Sequence, residues 1–143
     1  MAIQPALTYN IKSNKIIGFE DWIKRRIRRF ADHAIVFYIR CLASGHKMPV
    51  GYGFCNSATT SIQLSRCVKE WIECLQNCDF KPMVIVCEKG GPNIAAINML
   101  IKDTRAQYLR HNKIMPMKNV FQVKKECIVS LYDYICTSLK RCA

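Results

Sequence analysis

The first third of the chain alternates apolar and polar positions in short runs separated by turn residues. Residues 7–11 and 16–20 flank a polar turn at residues 12–15, which predicts a hairpin. The apolar run at residues 34–42 predicts a second strand, and residues 48–55 return from a turn at 44–47. Pro49 and two glycines are typical of an edge or bulged strand. We therefore predict an antiparallel meander of three to four strands.

The rest of the chain alternates between helical and extended patterns. Capping residues at 56–60 and apolar residues every three to four positions predict a helix at 62–75. Residues 83–87 are apolar and rich in β-branched side chains, which predicts a strand buried on both faces. Gly90 and Gly91 predict a tight turn, and Pro92 begins a helix that runs to about Arg110. Two short strands are predicted at residues 120–123 and 127–132.

This order predicts an α/β fold with a mixed sheet, in which the antiparallel meander is followed by the pattern α-β-α-β. A length of 143 residues, half of them apolar, fits one domain with a sizeable core. We therefore predict a single domain over residues 1–143. Such an architecture leaves the function open.

The net charge of +12 is concentrated at the two ends of the sequence. Residues 1–30 carry 7 basic and 2 acidic side chains, residues 31–100 carry 6 and 5, and residues 101–143 carry 9 and 3. The densest basic run contains Lys24, Arg25, Arg26, Arg28 and Arg29. We predict that these five residues bind nucleic acid through its phosphates. The alternatives are a nuclear-import patch and a solvated, arginine-rich turn or loop.

No apolar run approaches the length of a membrane span, and the N-terminus carries no secretory signal pattern. We therefore expect no membrane partner and a nuclear or cytoplasmic location. The nine cysteines are expected to be free thiols in a reducing compartment. Cys67, Cys74 and Cys78 share one face of the first predicted helix, which predicts that they lie in the core.

Several separated blocks of the sequence resemble, in order, the RNase H-like catalytic region of P-element-type DNA transposases and their THAP-domain relatives. These blocks are residues 6–10 and 16–21, 33–37 and 47–52, 86–90 with Asn93, and 131–133. The resemblance covers nearly the whole chain and implies an RNase H-like fold. It also implies metal-dependent DNA cleavage and strand transfer, DNA as the partner, and a nuclear location.

The resemblance places Glu88 at the position of the family's second catalytic acid, which is usually Asp. Such enzymes use two Mg²⁺ or Mn²⁺ ions, about 3.5–4 Å apart, to activate the attacking oxygen and stabilise the leaving oxygen. Glu88 is thus the candidate catalytic and metal-ligating residue. Glu is one methylene longer than Asp, so we interpret this site as degenerate and expect it to bind no metal stably.

The resemblance also predicts a chain that is incomplete at both ends. The family's first acid corresponds to a position just before Met1, and its last acid follows a large insertion described as guanine-nucleotide-binding. Residues 133–143 are expected to match the degenerate start of that insertion. The turn at Gly90 and Gly91 lacks a phosphate-binding pattern, so we predict no nucleotide site in this chain.

Three functions remain open at this point. The first is a transposon-derived RNase H-like fragment without catalytic activity. The second is a domesticated module that binds DNA or full-length transposase subunits without catalysis. The third is a compact metal-dependent nuclease that uses Glu88 with some of Asp21, Asp103 and Asp133, which requires these acids to converge.

Overall fold

The protein is described by a computed structural model that covers residues 1–22, 25–57, 59–115, 117–124 and 126–133. Its contacts divide the chain into two compact units, Met1–Thr59 and Thr60–Ala143, called unit 1 and unit 2 below. The single domain over residues 1–143 stays a prediction. Residues 134–143, assigned to the start of an insertion, lie outside the described residues.

The described part of unit 1 contains six strands, and the first two form the predicted hairpin. Strands β1 and β2 pair antiparallel, and Asn14 closes the turn between them with a φ of 51°. The other four form an antiparallel sheet in the order β4-β3-β6-β5. The six strands are β1 (Thr8–Asn10), β2 (Lys15–Ile17), β3 (Phe19–Asp21), β4 (Arg26–Phe30), β5 (His33–Arg40) and β6 (Lys47–Cys55).

The antiparallel pairing of unit 1 is confirmed, but the predicted meander is wrong. The β3-β4 and β5-β6 hairpins are joined through β3 and β6, which are neighbours in space but not successive in sequence. The bulge predicted for β6 is present, because Pro49 pairs with Tyr38 and Gly51 with Phe37. β6 is nevertheless an inner strand. Among the described residues, β6 pairs with β3 where Phe54 faces Asp21, which is far from the proline, so Pro49 breaks no ladder on that side.

The core of unit 1 is built around one large side chain on one side of the sheet. Trp22 is buried, and its indole Nε1 donates a hydrogen bond of 2.8 Å to the buried carboxylate of Glu20. The ring lies against Gly53, where an added Cβ would be 3.2 Å from both the indole and the Ile35 side chain. A glycine at this position therefore gives the tryptophan its space.

Unit 2 has the predicted order α-β-α, followed by two strands. α1 spans Ser61–Asn77, β7 Val84–Glu88, α2 Gly91–Arg110, β8 Val120–Val123 and β9 Glu126–Asp133. β7 pairs parallel with β9, and β8 pairs antiparallel with β9, which gives a mixed sheet in the order β7-β9-β8. The predicted α/β class and mixed sheet are therefore confirmed.

Apolar side chains from both helices and from β8 and β9 form the core of unit 2. Ala96, Ile97 and Leu100 of α2 are buried, as are Phe121 of β8 and Ile128 of β9. α1 begins at its N-cap Thr60, whose hydroxyl accepts a hydrogen bond from the backbone N–H of Gln63. None of the described helices is long and apolar enough to cross a lipid bilayer.

Two burial predictions for unit 2 are wrong. Val84 and Val86 are exposed, so β7 has one open face instead of two buried ones. Cys74 and Cys78 are also exposed, whereas Cys67 is partly buried. The buried stripe of α1 consists of Leu64, Ser65, Val68 and Ile72. The 100° step of a helix turns Cys74 away from it, and Cys78 is the C-cap beyond the last helical residue.

Candidate acidic turn and basic edge strand

Glu88 is the last residue of β7, and its side chain is exposed. Its carbonyl oxygen accepts two hydrogen bonds, from the backbone N–H of Gly90 at 2.8 Å and from the side-chain amide of Asn93 at 2.9 Å. Gly90 is the N-cap of α2. The turn between β7 and α2 is therefore fixed by Asn93, whose role sequence reasoning did not identify.

The glycines of this turn do not have the role predicted for them. Gly90 has a φ of −94°, and the described residues with a positive φ do not include Gly91. An added Cβ at Gly90 would meet only the Asn93 amide, at 3.8 Å, and one at Gly91 would meet nothing within 4 Å. Neither position thus requires glycine for its backbone angles, and Pro92 at the start of α2 is the stronger local signal.

The structure brings one other acidic residue of the candidate set next to Glu88 in backbone register. Asp133 is its partner in the parallel β7-β9 pair, at the carboxyl end of both strands. Asp103 is exposed within α2, on a cleft that Lys69 and Arg110 also line. Asp21 belongs to β3 of unit 1.

The described side chains do not fit the metal pair that the resemblance implies. Magnesium and manganese favour several oxygen ligands around each ion. Among the residues that the structure describes, no three His, Cys, Asp or Glu side chains lie close enough together to hold a metal ion. The described residues at this turn therefore do not form a site for a pair of divalent ions.

Arg26, Arg28 and Arg29 of the basic run belong to an edge strand instead of the turn or loop considered from the sequence. β4 lies at one end of the sheet order and pairs with β3. Arg25, Arg28 and Arg29 are exposed, and Lys24 lies outside the described residues. Charged side chains on an edge strand also discourage pairing with other chains, which is a structural reason for this composition.

The arginines of β4 have different surroundings. The register irregularity falls between the pairs Ile27–Glu20 and Phe30–Phe19, which leaves Arg28 and Arg29 between two paired positions. The Arg26 guanidinium lies 5.9 Å from the centre of the Phe19 ring and donates to the carbonyl of Ile16. Arg26 therefore has a structural role, whereas Arg28 and Arg29 project from the irregular part of the strand.

Beside this sheet, Asp32 fixes the start of β5. The Asp32 carboxylate contacts the imidazole Nδ1 of His33 at 2.8 Å and accepts a bond of 2.6 Å from the backbone N–H of Ser57. These bonds, the one with His33 first, lower the pKa of Asp32 below its usual value. Adjacent Asp and His before a strand would have been the sequence signal for this contact.

A model of the family described as the TNP-like RNase H N-terminal domain matches residues 1–101. The chain belongs to this family. The match includes all of unit 1, then α1, β7, the Glu88 turn and the first half of α2. No curated protein matches the chain, and no solved structure matches it. Membership confirms the RNase H-like α/β fold and a transposase-like region, whereas the P-element type stays a prediction.

Proposed function

We propose that this RNase H-like region derives from a P-element-type transposase and binds duplex DNA without cleaving it. The observation that carries the DNA-binding part is the exposed basic edge strand of unit 1. Arg25, Arg28 and Arg29 are exposed within five residues, and β4 has no partner on its outer side among the described strands. Guanidinium groups placed in this way can contact successive phosphates of a duplex.

The proposal of a P-element-type origin rests on the turn around Glu88. The matching block contains the strand end, the glycine and Asn93, and the Asn93 amide bonds to the Glu88 carbonyl. This hydrogen bond gives a physical reason for Asn to stand five residues after the acid. A family-wide turn of this kind would place one carboxylate at the end of a strand in each member.

We propose that the protein does not cleave DNA because of the length of the Glu88 side chain and the lack of further ligands beside it among the described residues. The resemblance to P-element-type transposases gives Glu88 the position of a shorter Asp, and the added methylene would move the carboxylate from the position that Asp would give it. The described side chains bring no second and third ligand to it. We therefore expect the same rate of DNA cleavage from the protein and from its Glu88→Ala variant in the presence of Mg²⁺ or Mn²⁺. A rate that depends on both the metal and Glu88 would overturn this part.

Duplex binding is tested by the salt dependence of the dissociation constant. Each phosphate contact adds about 0.9 to the slope of log K against log salt concentration. The double variant Arg28→Gln/Arg29→Gln should therefore lower the slope by about 2 and weaken binding to unrelated duplexes equally. The matched control is Lys113→Gln/Lys118→Gln, which removes two exposed charges from unit 2. No binding at low salt, or equal slopes for both double variants, would contradict the proposal.

A second candidate is binding to full-length transposase subunits, and β7 favours it. β7 is an edge strand of its sheet among the described strands, and its Val86 side chain is 59% exposed. An exposed apolar edge strand can add to the sheet of another chain. Val86→Lys should abolish co-elution with such a subunit and leave duplex binding unchanged.

Both candidate functions require the protein to be in the nucleus, so we also propose a nuclear location. A fluorescent fusion would test this location.

A further inference from the structure

Exposed aromatic side chains lie on one side of the four-stranded sheet of unit 1. Residues directly opposite each other in an antiparallel pair lie on the same side of a sheet. Val36 pairs with Tyr52, Tyr38 with Pro49, and Arg40 with Lys47. Because successive residues of β5 alternate between the two sides, these pairs share one face.

The same face continues across β3 and β4. Phe54 of β6, which shares the side of Tyr52, pairs with Asp21 of β3. Phe19 lies two residues before Asp21, and its ring centre is 6.1 Å from that of Phe30. The set is called the aromatic face below and consists of Phe19, Arg26, Phe30, Tyr38, Arg40, Lys47, Tyr52 and Phe54.

Trp22, the largest buried side chain described in unit 1, lies on the other side of this sheet. Gly53 of β6 and its partner Ile35 of β5 each lie next in sequence to a residue of the opposite side, so both face away from the aromatic face. The Trp22 ring and the Ile35 side chain lie against Gly53. The aromatic face is open by comparison, because Tyr38 is 67% exposed, Tyr52 62% and Phe30 52%. Tyr38 and Tyr52 lie on the neighbouring strands β5 and β6, and exposed large side chains gathered on one face are typical of a binding surface.

The rings of the aromatic face are placed beside positive charge. Arg26, Arg40 and Lys47 are exposed, and Asp21 is the one acid among the residues assigned above to this side. Tyr52 is already tilted against Phe54, with 5.3 Å between ring centres, which limits its freedom to rotate. Pre-ordered rings between cations are the arrangement that binds unpaired bases, by stacking on the bases and contacting the phosphates between them.

We propose that the aromatic face binds single-stranded DNA, with Tyr38 and Tyr52 stacking on unpaired bases. Arg40 and Lys47 then contact the phosphates. A duplex cannot use these rings, because its bases are already stacked on each other. The choice of DNA over RNA rests on the proposed function. The residues involved differ from Arg28 and Arg29, so the two proposals can fail separately.

The test measures fluorescence anisotropy of a labelled 20-nucleotide oligo-dT with the full chain. Tyr38→Leu and Tyr52→Leu should each weaken binding by about 5- to 150-fold, because each removes one stacking ring. Tyr38→Phe and Tyr52→Phe should bind like the parent, since the ring and not the hydroxyl is required. Tyr9→Leu is the matched control, because Tyr9 is equally exposed but lies on the β1-β2 hairpin.

Each outcome decides one of the two proposals. Oligo-dT binding that the two leucine variants leave unchanged would overturn the single-strand proposal, as would equal losses for Tyr9→Leu. Tighter binding to oligo-U than to oligo-dT would overturn its assignment to DNA. Tyrosine-dependent oligo-dT binding without duplex binding would support the aromatic face and contradict the duplex proposal. Circular dichroism of each variant shows that the fold is retained.

Discussion

Units 1 and 2 differ in what fills their interiors. Among the described residues of unit 1, the buried apolar ones are Trp22 and three small side chains, Ala31, Ala34 and Cys55. In unit 2 they are mostly branched or aromatic, namely Leu64, Val68, Ile72, Ala96, Ile97, Leu100, Val120, Phe121, Val123 and Ile128. Burial of large apolar side chains is the main favourable term in folding, so the core of unit 2 provides more stabilisation.

The difference explains why both DNA-binding proposals fall on unit 1. Its four-stranded sheet has one covered side, and the aromatic face and the β4 arginines are directed outward. The rings of the aromatic face are therefore available to contact a partner, because the described core of unit 1 does not cover them. Unit 1 depends correspondingly more on backbone geometry, including the close approach of Gly18 to Ala6.

Truncation of the unit 2 core should have the largest effect on stability. Phe121 is fully buried, so Phe121→Ala removes a ring that its neighbours cannot replace, at a cost of about 3–5 kcal/mol. Urea unfolding of the full chain measures this cost, and hydrogen exchange of β8 and β9 peptides locates it. Ile128→Val is the control and should cost only about 0.5–1.5 kcal/mol. Equal costs for both variants would mean that the site closes around the deletion.

In unit 1, substitution of a single glycine should lower the free energy of unfolding more than substitution of an exposed ring. Gly18 has a φ of +112°, and an added Cβ would lie 1.8 Å from the backbone oxygen of Ala6. Gly18→Ala should therefore cost about 2–3 kcal/mol, because backbone strain and overlap act together. Gly45 has a φ of +71° with nothing within 4 Å, so Gly45→Ala should cost about 1 kcal/mol. The comparison fails if Gly45→Ala is the more damaging variant in thermal unfolding.

Loss of the α1 cap should have a smaller effect. The Thr60 hydroxyl accepts the N–H of Gln63 at 3.3 Å, and Thr60→Ala leaves that donor without this partner. We expect a loss of about 1 kcal/mol, measured by urea unfolding. Thr60→Ser keeps the oxygen and should retain most of the stability. A full loss in the serine variant would indicate that the methyl group, not the hydrogen bond, supports the helix start.

The sequence predicts those parts of the fold whose signals are local. α1 and α2 follow from apolar periodicity and capping residues, and β5, β6 and β7 follow from runs of apolar and β-branched side chains. The sheet order β4-β3-β6-β5 was missed, because pairing between distant segments leaves no periodic trace. The exposed side of β7 was missed for a related reason, since a strand's composition does not show what covers it.

The same distinction holds for the candidate sites. Glu88 was placed at a strand end because the strand, turn and helix are contiguous, whereas the convergence of acids depends on separate elements. The aromatic face had an accessible signal, the alternation of Val36, Tyr38 and Arg40 along β5. The prediction emphasised the five cations within residues 24–29 instead, and the structure gives Arg26 a different environment from Arg28 and Arg29.

The reactivity of two cysteine thiols allows the two units to be compared in the unsubstituted protein. Cys41 of unit 1 is exposed and accepts a bond from Ser44, which lowers the pKa of its thiol. Burial, with a smaller contribution from nearby Glu70, raises the pKa of Cys67 in unit 2 to about 11. The thiolate is the reactive form, so at pH 7.5 iodoacetamide should label Cys41 at least about tenfold faster.

Mass spectrometry of short labelling pulses measures both rates in one sample. In guanidinium chloride the two rates should converge, because neither the Ser44 bond nor burial survives unfolding. Raising the pH from 7.5 to 9 should increase the Cys67 rate without saturating it, since its pKa stays above that range. Rapid labelling of Cys67 at pH 7.5 would instead mean that this side of α1 opens readily. The large buried side chains of unit 2 would then not prevent local opening of α1. The greater stabilisation of unit 2 relative to unit 1 would be limited to the contacts of α2, β8 and β9.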